Sequence, residues 1–344
     1  MMNTFLSTLK AVGLGLALSS GLAATAQADV RLNMNHQWPA TTVGSKVDQW
    51  FVDEIAARTN GEVKIKIFWS EGLAKSAEAL ELIETGALDM AAMSPGYFPA
   101  QLPLHVAPNS IPMKMDTVDQ ANTLMKRLMA ELPAYAEEAA ANGIKPLFFH
   151  HLNPYLLVSR EPITSVEQME GKKMRTWGND MPRMVQAAGG TPVTMMLPEI
   201  YEGLSRGVVD TAPFAVDLIV NYKIHEVAKH VSEITLWEGP SWGVWISQAA
   251  WDKLSTEQQA VFEEVATEAM ERDRVAVLNA DKEARATLAE AGVTFHEFPQ
   301  AEKDKWRAAL PDFFADWIAT MDEAGKGDAA REAVAIWKDV IGEN

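Results

Sequence analysis

The chain alternates between two spacings of hydrophobic residues, one with a period of two and one typical of a helix. Near the start, Val30, Leu32 and Met34 alternate with polar residues, which predicts a strand. Apolar residues then recur at helical spacing over 47–55, and a second alternating segment covers 63–67. This β-α-β order is the building unit of a parallel sheet.

Strand and helix patterns continue to alternate along the chain, so the predicted class is α/β, with two lobes and several crossings between them. Ser255, followed three residues later by Gln258, predicts a capping box at the start of a helix. The helical pattern that begins there runs to about residue 291, which is long for one globular domain. A helix of that length can contact both lobes.

The first 28 residues have the order of a secretory signal peptide. Basic Lys10 precedes an apolar run over 11–24, and Ala26-Gln27-Ala28 forms a small-x-small cleavage site. The run is shorter than the roughly 20 residues that cross a bilayer, which disfavours a membrane anchor. We therefore expect cleavage after Ala28 and a periplasmic location.

Composition excludes several classes of function. The net charge of −17 disfavours nucleic-acid binding, which usually needs basic patches. An anionic ligand is still compatible, because a cleft sets its own local field. The absence of cysteine excludes thiol catalysis and cysteine-ligated metals.

Two motifs invite a catalytic interpretation. Residues 239–243 match G-x-S-x-G, which in hydrolases makes the central serine, here Ser241, a nucleophile between a strand and a helix. Residues 244–246 instead have a strand pattern, so a turn between strands is favoured, and an exported serine hydrolase is the alternative function. The histidines at 150–151 and at 225 and 230 do not match a zinc motif. No metal site and no cofactor are expected, and a metal chaperone is a further alternative.

Arg175 is the main candidate for ligand binding. It ends the segment 171–175, which enters a predicted strand, and Trp177 follows it. A guanidinium can hold a carboxylate through two parallel hydrogen bonds. Trp177 would supply a flat apolar wall beside it. Taken alone, the pattern also fits a surface ion pair.

Arg175 belongs to an ordered series of segments that extends over most of the chain. The segments are Gly-Lys-Lys-Met-Arg-Thr at 171–176, Ala-Ala-Gly-Gly-Thr-Pro-Val at 187–193, Glu-x-Tyr-x-x-Leu at 199–204, Gly-Val-Val-Asp at 207–210 and Ile-Glu-Thr-Gly-Ala-Leu-Asp-Met at 83–90. The series resembles the solute-binding subunits of tripartite ATP-independent periplasmic (TRAP) transporters, the DctP-like family. The resemblance covers essentially the whole mature chain.

The resemblance implies a two-lobed periplasmic binding protein fold with hinge strands and a long shared helix. The expected lobes are 29–153 plus 240–284, and 154–239 plus 285–344. They would close over a ligand in the cleft between them, and the closed protein would dock on the TRAP membrane subunits. We expect a monomer that is not an enzyme; a role as the partner of a sensor is the alternative to uptake.

The resemblance also implies a set of cleft residues. The family's signature arginine, which pairs with the ligand's carboxylate, matches Arg175. The predicted ligand-binding residues are Arg175, Trp177, Tyr155, Phe214, Asn35, Trp38, Ser94, Tyr97 and Trp242. Tyr155 stands where some sialic-acid binders have a second arginine, and Phe214 where many members have an asparagine. Because both departures remove polar groups, we expect a small monocarboxylate or another small organic anion with an apolar body.

Overall fold

Two β-sheets form the framework of the protein, and helices pack against both. The structure is a computed structural model that describes residues 29–343. The predicted signal peptide and its cleavage after Ala28 lie outside the described residues. Within them, the predicted α/β class is confirmed.

The regular elements alternate along the chain as the sequence pattern predicts. The strands are β1 (Val30–His36), β2 (Val63–Phe68), β3 (Met90–Met93), β4 (Ile144–His151), β5 (Tyr155–Ser159), β6 (Lys173–Thr176), β7 (Thr191–Thr194), β8 (Thr211–Ala215), β9 (His230–Trp237), β10 (Pro240–Ser247) and β11 (Thr294–His296). The helices are α1 (Val43–Arg58), α2 (Ala79–Glu84), α3 (Pro103–Ser110), α4 (Val118–Glu131), α5 (Pro133–Ala141), α6 (Asp180–Ala187), α7 (Ile200–Ser205), α8 (Val216–Asn221), α9 (Gln248–Trp251), α10 (Thr256–Glu290), α11 (Gln300–Ala309), α12 (Phe313–Glu323) and α13 (Gly327–Ile341).

The first sheet has the strand order β2-β1-β3-β10-β4. Its strands β1, β2 and β3 are parallel, whereas β10 runs antiparallel to both neighbours. In β2, Val63 and Ile65 are buried and Lys64 and Lys66 are exposed, so the period-two pattern marks the inner face of an edge strand. The central strand β10 is buried along its whole length, as expected for a strand covered on both faces.

The second sheet has the order β11-β9-β5-β8-β6-β7. Its strand β6 lies between β8 and β7 and is parallel to both. The two sheets are the cores of two lobes, which confirms the two-lobed fold. Ligands of parallel sheets usually bind beyond the carboxyl ends of the strands, and Arg175 and Thr176 form that end of β6.

The chain crosses between the two lobes through very short connections. Residues 152–154 join β4 of the first sheet to β5 of the second, and residues 238–239 join β9 back to β10. At Gly239 an added Cβ would lie 2.4 Å from the carbonyl oxygen of Pro108, so glycine allows α3 to approach the crossing closely. These crossings agree with the predicted boundaries at 153/154 and 239/240, which stay predictions.

A third connection is the long helix α10. The predicted capping box is present: the Ser255 hydroxyl accepts from the Gln258 amide at 3.2 Å, and the Gln258 side chain accepts from the Ser255 amide at 3.0 Å. The 35-residue helix packs on α1 and β4 of the first lobe and on α8 of the second. The prediction of a long helix that contacts both lobes is confirmed.

The C-terminal helix α13 departs from the predicted lobe assignment. Residues 285–344 were expected in the second lobe, and the Trp306 indole of α11 does bond to the Met184 carbonyl there at 3.0 Å. However, α13 packs against α4 of the first lobe, where Asp339 pairs with Arg127. The amphipathic face of α13 packs against both α12 and α4 of the first lobe.

No helix within residues 29–343 is both long enough and apolar enough to cross a membrane.

Candidate ligand-binding cleft

A cleft of about 280 Å³ lies where residues of both lobes meet at the crossings. Its lining is largely aromatic and contains one cationic side chain, that of Arg175. The lining residues are Gln37, Trp38, Ser94, Gly96, Tyr97, Asn109, Leu152, Tyr155, Arg175, Trp177, Leu197, Trp237 and Ser241. Six of the nine sequence-predicted residues are among them: Trp38, Ser94, Tyr97, Tyr155, Arg175 and Trp177.

Strand β6 holds Arg175 against the second lobe. Its neighbour Met174 is fully buried, and the alternation of the strand directs Arg175 to the opposite face, where the side chain is only 6% exposed. Arg175 Nε donates to the Met195 carbonyl oxygen at 3.0 Å, and its guanidinium carbon lies 4.3 Å from the ring centroid of Trp177. These two contacts fix the plane of the guanidinium and leave its terminal nitrogens for a ligand.

The charge of Arg175 has no counter-ion within residues 29–343. Burial lowers its pKa to about 10, so the side chain is still a cation at neutral pH. Glu238, at the crossing after β9, forms no ion pair with Arg175, and burial raises the pKa of its carboxyl well above its usual value. A buried, uncompensated cation is costly unless an anion reaches it.

Aromatic rings form the wall around Arg175. The Tyr155 ring packs edge-on against Trp177 and Trp237, with centroid distances of 5.7 and 5.2 Å. Burial raises the pKa of the Tyr155 hydroxyl, so it stays neutral beside the guanidinium. This wall offers an apolar ligand body a flat surface.

The first lobe contributes the loops after β1 and β3. The Ser94 amide donates to Gln37 Oε1 at 2.9 Å, which ties the two loops together. The Ser94 hydroxyl accepts from the Gly96 amide at 3.2 Å and caps a short turn that carries Tyr97. Tyr97 is 50% exposed and stands at the mouth of the cleft.

A larger groove of about 520 Å³ lies between α5 and the start of α13. Its charges are paired with one another: Lys326 with Glu138 at 2.7 Å and Arg331 with Asp322 at 2.9 Å. Paired charges leave little to attract an ionic ligand, so we take the cleft at Arg175 as the functional site.

Residues 34–319 of the sequence match the model of the DctP family, described as bacterial extracellular solute-binding protein, family 7. The chain belongs to this family. The family's members are transport solute-binding proteins rather than enzymes. This chain is a TRAP solute-binding subunit and not an enzyme.

Relatives of the DctP family agree over nearly their whole length. The C4-dicarboxylate-binding periplasmic protein DctP of Rhodobacter capsulatus is 25% identical over 298 residues, which are 86% of this chain and 88% of that protein. An open, ligand-free TRAP solute-binding protein from Rhodobacter sphaeroides has a TM-score of 0.81 at 21% identity and covers 91% of this chain and 100% of its own. One from Chromohalobacter salexigens with bound D-glucuronate has a TM-score of 0.75 at 21% identity, with coverages of 91% and 100%.

Three predicted residues of this DctP-family chain are not part of the cleft lining. Asn35 is buried, and its side chain bonds the backbone at Leu73 and Ala74, so it holds the loop after β2. Phe214 is fully buried in β8, where no face of the strand is open. Trp242 is 2% exposed and stacks on His150 at 4.4 Å. These three residues stay predictions as ligand contacts and lie outside the lining of this cleft.

The structure also adds cleft residues that sequence patterns did not indicate. Trp237 ends β9 immediately before a crossing, and that position is the one signal that pointed to it. Gln37 and Leu152 likewise directly follow strands of the first sheet. Asn109 comes from α3, and its amide donates to the Pro240 carbonyl at 2.7 Å. No sequence spacing links that helix to the cleft.

The structure gives Ser241 no catalytic environment. It lies in strand β10 instead of a strand-to-helix elbow, and it is 8% exposed. Within residues 29–343, no histidine or carboxylate forms a hydrogen bond with its hydroxyl. The hydrolase alternative is therefore not supported.

His36 and His150 serve the interior of the first lobe. His150 bonds Asp273 of α10 at 2.7 Å and Asp48 of α1 at 2.8 Å, and His36 bonds Asp48 at 2.7 Å. These four side chains, here called the His150 network, are fully buried. In the part of the chain that the structure describes, no group of three or more His, Asp or Glu has an arrangement that could hold a metal ion.

Proposed function

We propose that this TRAP solute-binding protein captures a small organic monocarboxylate with an apolar body, and that Arg175 binds the carboxylate. The observation that carries the proposal is a buried guanidinium, oriented by Met195 and Trp177, without a counter-ion among residues 29–343. A hydrogen bond to a charged group contributes about 1.5–3 kcal/mol, and a carboxylate accepts two from one guanidinium.

The lining supports one carboxylate rather than two. Arg175 is the single cation among the thirteen lining residues, and Tyr155 presents a neutral hydroxyl where a second cation would be needed. The cleft volume of about 280 Å³ is at the small end of ligand pockets. The solved relative with D-glucuronate holds a polar sugar acid, whereas Trp38, Trp177 and Trp237 favour a less polar body here.

Capture would be coupled to closure of the lobes. Cleft residues come from both lobes, so a bound ligand contacts both and favours the closed state through its higher affinity for that state. The short crossings at 152–154 and 238–239 are the natural hinges. The closed protein would then dock on the TRAP membrane subunits and release the ligand for uptake.

Export and oligomeric state complete the proposal. Cleavage after Ala28 would give a mature protein that begins at Asp29, which N-terminal sequencing of periplasmic material checks directly. We infer a monomer, because one chain supplies both sides of the cleft. Sedimentation velocity of the mature protein at several concentrations tests this, and a stable dimer would contradict it.

The central experiment is a thermal-shift screen of small carboxylates, followed by calorimetry on wild type and variants. A ligand that binds only the folded protein raises its melting temperature. Arg175→Gln should weaken binding by about 100-fold or more, and Arg175→Lys should recover only part of it, because an ammonium cannot form the two parallel bonds. The matched control is Arg206→Gln, which changes an exposed arginine of the same lobe. Unchanged affinity in Arg175→Gln would disprove the assignment.

A further inference from the structure

A second, narrow cavity of about 40 Å³ adjoins the cleft. Trp38 and Leu152 line both, so the two spaces meet at these residues. The lining comes from the start of α1, the 151–153 crossing, α8 and α10: Trp38, Thr42, Val43, Gly44, His151, Leu152, Asn153, Asp217, Leu218, Asn221, Trp242 and Val277. Both lobes therefore contribute to it, as they do to the cleft.

Buried polar atoms without a protein partner concentrate around this cavity. Within residues 29–343, thirteen buried side-chain nitrogen or oxygen atoms have no hydrogen-bond partner in the protein. Five of them belong to four residues of this lining: Trp38 Nε1, Trp242 Nε1, Asn153 Oδ1 and both ring nitrogens of His151, of which Nδ1 lies 3.7 Å from Asp273 Oδ2. Because buried polar groups are normally hydrogen-bonded, this concentration indicates a place built for a polar group from outside the protein.

Asp217 adds a carboxylate to the same lining. Its Oδ1 accepts from Asn153 Nδ2 at 3.0 Å, and no lysine or arginine of the described chain pairs with it. Burial raises the pKa of Asp217, and its carboxyl group accepts a hydrogen bond from Asn153 within this lining.

The mixture of donors and acceptors restricts the chemistry of the visiting group. The indoles of Trp38 and Trp242 can only donate, whereas Asn153 Oδ1 and Asp217 accept. A carboxylate would use only the donors, and an ammonium only the acceptors. A hydroxyl uses both, and the volume of about 40 Å³ accommodates a group of that size.

We propose that this cavity is a hydroxyl subsite, so that the preferred ligand is a hydroxy monocarboxylate with its carboxylate at Arg175 and its hydroxyl beside Trp38 and Trp242. This inference rests on the proposed function. It adds that the hydroxyl lies away from the carboxylate, because Arg175 lines the cleft but not the second cavity.

The test uses matched pairs of acids in calorimetry. An aliphatic series pairs 3-hydroxypropanoate to 6-hydroxyhexanoate with the unsubstituted acids, and an aromatic series pairs 4-hydroxyphenylacetate and 3-(4-hydroxyphenyl)propanoate with their parents. At the chain length that reaches the subsite, we expect the hydroxy acid to bind about tenfold more tightly than its parent. Acids with an ammonium at the same position should bind no better than the parent.

Variants connect that ratio to the cavity. Trp242→Phe removes one indole N–H that lines only the second cavity, and it should bring the ratio of the two dissociation constants close to one. Trp38→Phe is a second probe in case Trp242→Phe fails to fold. The matched control is Trp337→Phe on α13, which also removes a buried, unpartnered indole N–H but lies outside both cavities. Its ratio should equal that of wild type.

The outcomes separate the subsite from the function on which it rests. If unsubstituted acids bind and depend on Arg175, but no hydroxy acid in either series is preferred, the cavity binds water only and the inference is overturned while the proposed function stands. A preference for the ammonium acids, or a hydroxyl preference that survives both Trp242→Phe and Trp38→Phe, also overturns it. If neither series binds, both proposals fall.

Discussion

The two lobes contain buried charges of opposite kinds. In the first lobe, the buried charges of the His150 network contact opposite charges within the fold, since His150 bonds both Asp48 and Asp273. In the second lobe, Arg175 is almost as deeply buried but has no counter-ion among the described residues. Burial alone therefore does not distinguish a structural charge from a receptor. The difference lies in whether the fold itself supplies the partner.

The largest expected effect follows from breaking the matched network. Asp273→Ala would remove the carboxylate that accepts from the His150 ring and from the His151 amide, and each hydrogen bond to a charged group contributes about 1.5–3 kcal/mol. Chemical denaturation of the ligand-free protein measures this loss. Glu283→Ala, an exposed change on the same helix, is the control and should stay within about 0.5 kcal/mol. A loss below about 1 kcal/mol for Asp273→Ala would show that the His150 network does not stabilise the fold, and would contradict the comparison of the two lobes.

Arg175→Met should behave in the opposite way. It removes an uncompensated buried charge and keeps similar volume, so the free energy of unfolding without ligand should be unchanged or higher by about 1 kcal/mol. The same denaturation experiment checks it beside Asp273→Ala. A destabilisation as large as that of Asp273→Ala would mean that Arg175 is a structural residue.

The pH dependence should separate the regions further. Burial alone would lower the pKa of His150, but Asp48 and Asp273 raise it to about 10 in the folded protein, against about 6.5 when unfolded. A raised folded pKa gives stability that is fully present below pH 6.5 and is lost as the pH rises towards 10. The difference in unfolding free energy between wild type and His150→Gln should therefore shrink over that range.

Ligand affinity should stay constant over most of the same range. Arg175 keeps its charge until the pH approaches 10. Calorimetry between pH 6.5 and 9 checks this, at temperatures where the protein stays folded. An affinity that falls in parallel with stability would show that the His150 network, and not only Arg175, controls binding.

The smallest expected effect comes from the cap of α10. Ser255→Ala removes an N-cap hydroxyl bond and should lower the free energy of unfolding by about 1 kcal/mol. Because this cap lies far along the helix from Asp273, neither the pH dependence nor ligand affinity should change. A change in affinity would indicate that α10 transmits strain to the cleft.

Sequence patterns predicted the elements well because apolar spacing reports local geometry. The alternation over 63–67 and the cap at Ser255 are both decided by residues close in the chain. The positions of Trp38, Tyr155 and Arg175 around one cleft were accessible only through the family resemblance. Their spacing in the sequence carries no information about contact across two lobes.

The three predicted residues outside the cleft lining show the same limit. Phe214 and Trp242 lie in strands buried on both faces, where the period-two pattern that separates inside from outside disappears. Asn35 lies near the end of β1, but the backbone of the loop after β2 uses its side-chain hydrogen bonds. The partners of His150 lie 102 and 123 residues away along the chain, so a local motif search could not find the network.

Helix α10 has a consequence for how the empty protein reopens. It joins the lobes over 35 residues and contains neither glycine nor proline, so no single point along it is weakened for a sharp kink. If the short crossings at 152–154 and 238–239 act as hinges, α10 has to accommodate their rotation by bending smoothly or by sliding on its neighbours. A helix that is bent smoothly stores elastic energy and releases it when the ligand leaves, so α10 would favour reopening of the lobes. Arg272→Gly, a substitution at an exposed position of α10, should therefore slow reopening after release.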